Sequence, residues 1–197
     1  MTAYASSAQI KAALRVTDTT DDSLIGAAGT AATALIDGHV GRTFASFGTV
    51  TRYYAAGDGC VLSIDDLAGT AVTILTAPSL DGNFSQAWAT SDYQLEPLNG
   101  ILDGLTWPYT HIRAVASRVW PVSERASVQV TGAFGWASVP PVVEQACIIQ
   151  ASRLFKRLDS PLGVAGFGDM GVMRVSSKLD PDVAQLLAPY VRYRGLA

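Results

Sequence analysis

The spacing of hydrophobic residues changes twice along the chain, and this change limits the folds that the chain can adopt. Apolar residues recur every three or four positions in residues 22–40, as on one face of a helix. From Thr49 to Gln129 the spacing shortens to near two, which is typical of half-buried strands, and beyond Val139 the helical spacing returns. We therefore expect a β-rich insertion between two helical segments of one 197-residue chain.

Four helices are predicted from this spacing and from residues that start or stop helices. Ser7 is a candidate N-cap of the first helix, and Gly41 is expected to end the second. Prolines near the first turn favour the start of the third, and Asp180 favours the start of the fourth. The predicted ranges are 7–15, 22–40, 141–158 and 181–191.

The segment between the second and third helices contains five or six strand-like runs separated by turn sequences such as GDG, PSLDGN and EPLNG. A small sandwich and a curled sheet both fit this spacing. We predict an α+β fold in which a small bundle of about four helices carries a β-rich insertion. The predicted helical core is 1–44 with 128–197, and the predicted insertion is 45–127. The ends of the insertion, near Phe44 and Phe134, should lie close together.

Charge and hydropathy exclude several functional classes. Hydrophobic residues make up 49% of the chain and charged residues 16%, with a net charge of −3, so tight binding to nucleic-acid phosphates is not expected. Residues 1–100 carry a net charge of −6 and residues 101–197 a net charge of +3, which either intramolecular neutralisation or a partner explains. The uncharged stretch over 23–36 is shorter than the roughly 20 residues that cross a bilayer, so no membrane span is predicted.

No residue pattern indicates a reaction. His39 and His111 lie outside HExxH and GxSxG motifs, and the run GFGDMG lacks the lysine and hydroxyl of a phosphate-binding loop. Cys60 and Cys147 are far apart and are interpreted as small buried side chains. We therefore expect no catalytic, cofactor-binding or metal-binding residues, and no cofactor.

Aromatic residues of the insertion leave a second interpretation open. Core packing is the ordinary role of tryptophan in a β-rich region. Alternatively, a ligand-binding or enzymatic domain could use Tyr53, Tyr54, Trp88 and Trp107 to line a pocket.

Three blocks of residues, in a fixed order, carry a resemblance to a known family. They resemble blocks of the head–tail connector (adaptor, or head-completion) proteins of long-tailed double-stranded DNA bacteriophages. The resemblance covers roughly half the chain, and the insertion is longer than in compact members of the family. The blocks are Ile10 and Leu14, then Asp21-Asp22 with Leu24, Ala28, Ile36 and Gly41-Arg42-Thr43-Phe44; Val128–Trp136 leading into Val139-Pro140, Val142, Ala146 and Arg157; and Leu179–Val183 with Leu186, Leu187 and Pro189-Tyr190.

The resemblance implies a structural, non-catalytic virion protein at the head–tail interface, made in the host cytoplasm. Such proteins commonly assemble as a ring of twelve subunits beneath the portal protein, extend the DNA exit channel and offer a platform to the next neck or tail-completion protein. Genome DNA passes through the lumen without sequence-specific binding, and no membrane is involved.

The predicted partner contacts come from two segments. Residues 159–178 combine glycines with large apolar residues, which suits a segment that packs against a neighbour. The C-terminal end is rich in arginine and tyrosine, which are frequent in interface hot spots. The predicted residues are Phe167, Met170, Met173, Arg174, Arg192, Tyr193 and Arg194.

Overall fold

The computed structural model describes residues 3–157, 164–166, 172–174 and 179–192. The chain divides into two compact units. Unit 1 comprises Met1–Phe44 and Val139–Ala197, and unit 2 comprises Ala45–Ser138.

Unit 1 contains the helices. They are α1 (Ser7–Leu14), α2 (Asp22–Val40), α3 (Pro141–Lys156) and α4 (Pro181–Leu187), and α4 continues into one 3₁₀ turn, Ala188–Tyr190. None of the helices in the described part of the chain is long and apolar enough to cross a membrane.

Local capping explains where these helices begin and end. Ser6, rather than Ser7, caps α1 through a reciprocal capping box with Gln9. Gly41 ends α2 with φ of +68°, a left-handed conformation that glycine adopts without a Cβ penalty. The side chain of Asp180 caps α4 by accepting a hydrogen bond from the Asp182 N–H.

The core of unit 1 lies between α2 and α3, with α1 packed on both helices and α4 packed on α3. Many of the buried side chains on the two central helices are small, so the helices can approach closely. They include Ile25, Ala28, Gly29, Ala32, Thr33 and Ile36 on α2 and Val143, Ala146, Cys147 and Ala151 on α3. Two short strands, β10 (Val164–Gly166) and β11 (Val172–Arg174), pair antiparallel in the same unit.

Unit 2 is built on a curled, seven-stranded antiparallel sheet with strand order β4-β3-β9-β2-β8-β5, and β1 pairs with β9 off this path. A separate two-stranded hairpin is formed by β6 and β7. The strands are β1 (Ser46–Tyr54), β2 (Val61–Leu67), β3 (Thr73–Thr76), β4 (Gln86–Trp88), β5 (Tyr93–Glu96), β6 (Ile101–Leu102), β7 (Leu105–Thr106), β8 (Tyr109–Ala114) and β9 (Val128–Gly135).

The predicted fold class is wrong, because the sheet dominates this protein and is not a lesser addition to a small helical bundle. The error lies mainly in β9, which pairs with β1, β2 and β3 and so organises the sheet. Its residues Val128, Val130 and Phe134 are fully buried in the core of unit 2. The compact unit extends to Ser138 and includes the whole of β9.

The two ends of unit 2 lie side by side. Ser46 on β1 pairs with Gly135 on β9, and the Trp136 N–H donates to the Ala45 carbonyl oxygen at 3.3 Å. The chain therefore enters and leaves this unit through adjacent backbone segments.

Candidate functional site

The structure describes three of the seven predicted partner contacts. Phe167, Met170, Tyr193 and Arg194 lie outside the described residues. Met173 and Arg174 lie in β11, where their backbones pair with Ala165 and Val164 of β10. Arg192 is described separately below, and the assignment of all seven to a partner interface stays a prediction.

Arg192 is attached to the end of α2 through its backbone. Its N–H donates to the Val40 carbonyl oxygen at 2.7 Å, and its side chain borders a surface cleft together with Asp37 and His39. Two residues earlier, the buried Tyr190 packs edge-on against Phe44 with ring centroids 5.5 Å apart. The chain up to Arg192 therefore belongs to the fold of unit 1.

A polar network that the sequence analysis missed centres on the hydroxyl of Tyr4. The hydroxyl donates to Asp37 Oδ1 at 2.5 Å, lies 3.0 Å from Thr43 Oγ1 and accepts from the Phe44 N–H at 2.8 Å. Burial raises the pKa of Tyr4 well above its usual range and also raises the pKa of Asp37. The network fixes the N-terminal segment against the end of α2 and the backbone of Phe44.

The aromatic residues considered as a pocket lining enter four separate contacts. Trp88 stacks on Trp120 at 3.9 Å, Trp107 meets the ring of Trp136 edge-on at 5.2 Å, Tyr53 packs on Phe84 and Tyr54 packs on Phe134. All four tryptophans are at least nine-tenths buried, and Tyr53 is 57% exposed. The four candidate residues thus do not form one wall, and the tryptophans serve the core.

Acidic side chains that could take part in acid–base or metal chemistry have structural partners in unit 2. Asp65 and Asp66 both lie on strand β2; Asp65 pairs with Arg52 at 2.6 Å, and Asp66 accepts a hydrogen bond from Trp136 Nε1 at 2.9 Å. Cys60 is exposed, contrary to its interpretation as a buried residue, while Cys147 is buried. No group of three or more potential metal ligands occurs within the described ranges.

A projecting element of unit 2, here called the apolar hairpin (98–106), presents four large apolar side chains to solvent. Leu98, Ile101, Leu102 and Leu105 are between 42% and 57% exposed. Asp103 and Gly104 form its tip with φ of +50° and +79°, the pattern of a tight type I′ hairpin turn. The sequence analysis assigned EPLNG, residues 96–100, to a turn and made no prediction for residues 101–106, although Asp-Gly flanked by apolar residues is a hairpin signal.

A shallow cleft of unit 1, here called the α3 cleft, lies along α3 beside α1. Its volume is about 490 Å³, and its apolar lining includes Ala13, Ile148 and Ile149. Three basic residues near the end of α3, Arg153, Lys156 and Arg157, also line the cleft. The polar Gln145 and Ser152 and the acidic Asp180 complete the lining, and Asp180 forms an ion pair with Arg153.

Comparison with known proteins finds a similar fold in chains of several solved structures. No protein-family model matches the chain, and no curated protein sequence matches it either. A chain in the neck of an empty gene transfer agent (GTA) particle, computed with C6 symmetry, matches at 16% identity with a TM-score of 0.56. That match covers 97% of this chain and 91% of the other. The two chains share a fold.

Two further solved structures contain chains of the same fold. A chain in the neck of the native GTA particle, computed with C12 symmetry, matches with a TM-score of 0.53 at 18% identity over 100% of this chain and 96% of its own. A chain in the virion of the native GTA particle gives the same TM-score and identity over 97% and 91%. The likeness includes both units, because almost the entire chain is aligned in each case.

Proposed function

We propose that this protein is a structural subunit of the head–tail connector of a phage or phage-like particle. In this proposal twelve copies form a ring beneath the portal, extend the DNA exit channel and provide the docking surface for the next neck or tail-completion protein. The observation that carries the proposal is the shared fold, over nearly the whole chain, with chains from neck assemblies computed with C6 and C12 symmetry.

Two features of the chain support a structural role. The charged fraction of 16% is low for a chain of this size, and large apolar side chains remain exposed on the apolar hairpin, as expected of a subunit that buries further surface on assembly. The order of the three sequence blocks named above also agrees with the connector family. We propose no catalytic activity and no resident cofactor.

The ring is tested with the purified full chain and with the portal protein of the same particle. We expect mass photometry and negative-stain electron microscopy to show closed rings, alone at high concentration or on portal at low concentration. A chain that stays monomeric up to several hundred micromolar and does not bind portal would refute the proposal.

The C-terminal tail is proposed to contact the portal, and its test follows from the position of Arg192. Deleting residues 193–197 retains Tyr190 and the hydrogen bond from Arg192 to Val40, so circular dichroism and melting should stay nearly unchanged. Loss of one interface hot spot costs about 2 kcal/mol, so portal binding should weaken by an order of magnitude or more. If the truncated chain binds portal as tightly as the full chain, the tail does not contribute to the interface. Arg153, Lys156 and Arg157 are then the next candidates.

A further inference from the structure

We infer that the apolar hairpin of one subunit seats in the α3 cleft of the next copy in the ring. This inference rests on the proposed ring, and it names the two surfaces that join its subunits. It assigns a binding role to the hairpin, which lies in the insertion that the resemblance to connector proteins does not cover.

The apolar hairpin has a rigid base, which an insertion element needs. Ile101 pairs with Thr106 and Leu102 pairs with Leu105, and the Trp107 N–H donates to the Gly100 carbonyl oxygen at 2.8 Å. The Trp107 side chain is buried beside Trp136 and anchors the hairpin where the chain returns to β8. A two-stranded hairpin is marginally stable by itself, and this anchor compensates for the absence of pairing to the main sheet.

The exposure of the apolar hairpin is unfavourable in a free subunit. Four large apolar side chains stand within eight residues, Leu98 to Leu105, and each keeps two-fifths or more of its surface in water. Leu102 and Leu105 are cross-strand partners and share one face of the hairpin, while Ile101 lies on the other face. Large apolar side chains exposed together in one element are typical of an interaction site. A partner that covers it must offer an apolar floor and a counterpart to the carboxylate of Asp103 at the tip.

The α3 cleft offers both features. Ala13, Ile148 and Ile149 supply an apolar floor, and Lys156 and Arg157 supply cations at one end. Unlike Arg153, neither Lys156 nor Arg157 has an ion pair with an acidic side chain of the described residues. An aspartate that arrives at this end meets opposite charge, which favours the correct register over others.

The overall charges of the two units agree with this pairing. Unit 2, which carries the hairpin, has eight acidic and four basic residues, a net charge of −4. Unit 1, which carries the cleft, has nine acidic and ten basic residues, a net charge of +1. The acidic excess of unit 2 is thus available to contacts with the basic residues of unit 1 in another copy.

The use of two different surfaces also determines the type of assembly. A surface that binds its own counterpart produces a two-fold dimer, whereas a hairpin that binds a different surface of the next copy produces a head-to-tail contact. Such a contact gives a closed ring when the rotation between copies divides a full turn, and an open filament otherwise. Cyclic symmetry is the symmetry with which the necks of similar fold were computed.

Charge reversal and its rescue test the inference. Asp103→Lys on the hairpin, or Lys156→Glu with Arg157→Glu in the cleft, should each weaken self-association at least tenfold in sedimentation velocity. A chain that combines the reversals should recover most of the association, because the pair of charges is restored with opposite signs. Asp103→Asn keeps a residue suited to the left-handed turn and should give an intermediate loss.

The apolar contribution has a matched control in the same unit. Leu102→Ser should weaken association, whereas Val119→Ser, which changes a 65% exposed side chain outside the hairpin, should not. Tryptophan fluorescence checks the fold of unit 2 in each variant, because Trp107 lies at the base of the hairpin. Rings that form equally well with all hairpin and cleft variants would overturn the inference and leave the proposed connector function intact.

Photo-crosslinking locates the contact directly. Benzoylphenylalanine at position 102, in a mixture of ¹⁴N- and ¹⁵N-labelled full chains, should give crosslinks between chains to the peptide that contains residues 145–157. Crosslinks from oligomers to other segments, or to portal alone, would overturn the hairpin–cleft contact. A chain that is monomeric under all conditions, with or without portal, would overturn the ring itself together with this inference.

Discussion

The two units build their cores from side chains of different sizes. In unit 1, α2 and α3 approach through small residues such as Ala28, Ala32 and Ala146. In unit 2, the sheet closes over large ones, among them the fully buried Phe134 and the stacked pair Trp88 and Trp120. The helical core should therefore be sensitive to added volume and the sheet core to removed volume.

The sequence provides a separate optical signal for each unit. All four tryptophans lie in residues 45–138, so their fluorescence reports on unit 2. The α-helices of the described residues all lie in unit 1, and unit 2 contains only one 3₁₀ turn, Leu98–Gly100, among its described residues, so circular dichroism at 222 nm reports mainly on unit 1. Comparison of the two signals shows which core a substitution damages.

The largest effect is expected from Phe134→Ala in the sheet core. Phe134 is fully buried and its ring contacts Tyr54 and the Arg52 guanidinium, so truncation should cost about 3–5 kcal/mol of unfolding free energy. Urea titration followed by tryptophan fluorescence measures the loss. Phe47→Ala is the control, because Phe47 is 48% exposed on neighbouring β1 and should cost much less. Equal losses would show that the core of unit 2 is not where the structure places it.

A smaller effect is expected from added volume between α2 and α3. Ala32→Leu places a larger side chain at a fully buried position and should cost about 1–3 kcal/mol through overpacking. Ala34→Leu is the matched control on the exposed side of the same helix, since alanine and leucine have similar helix propensities. Urea titration at 222 nm should separate the two variants. If Ala32→Leu is as stable as the control, the close packing assigned to these helices is wrong.

Local signals explain why the helices could be predicted from the sequence and the sheet could not. The range of α2, Asp22–Val40, follows from its apolar spacing and from Gly41, which all lie within one segment. Strand β9 pairs with β1 and β3, whose residues are about 50 to 90 positions away in the sequence, and a single sequence carries no record of such pairing. Residues 128–135 are therefore recognisable as strand-like from the sequence, whereas their position at the centre of the sheet is not.

The two candidate interaction surfaces also differ in whether the sequence signal for them is local. The apolar hairpin could have been recognised from Asp103-Gly104 between apolar pairs, because that signal is local. The α3 cleft could not, since Ala13 and Ile149 come together only when α1 packs on α3. The Tyr4 network was missed for the same reason, because Asp37 and Phe44 lie far along the chain from Tyr4.

The smallest effect concerns Asp37, a half-buried carboxyl near the end of α2. Burial raises the pKa of Asp37 in the folded state above its ordinary value of about 4. Between pH 4 and the raised pKa, Asp37 therefore keeps a proton in the folded state that it releases in the unfolded state. The unfolding free energy contributed by Asp37 is therefore highest below pH 4 and falls as the pH rises through the raised pKa. The asparagine of Asp37→Asn does not titrate, so the unfolding free energy of the wild type relative to this variant should fall with increasing pH.

Urea midpoints measured at 222 nm from pH 4 to pH 7 test this difference, because all other carboxylates are common to both proteins and cancel in the comparison. Tyr4→Phe provides a second variant with an opposite change in the network. The Tyr4 hydroxyl donates to Asp37 and opposes the effect of burial, so its removal should raise the pKa of Asp37 further and extend the fall in stability to higher pH. Parallel pH profiles for the wild type and Asp37→Asn would show that Asp37 is hydrated in solution and that the core of unit 1 ends short of this network.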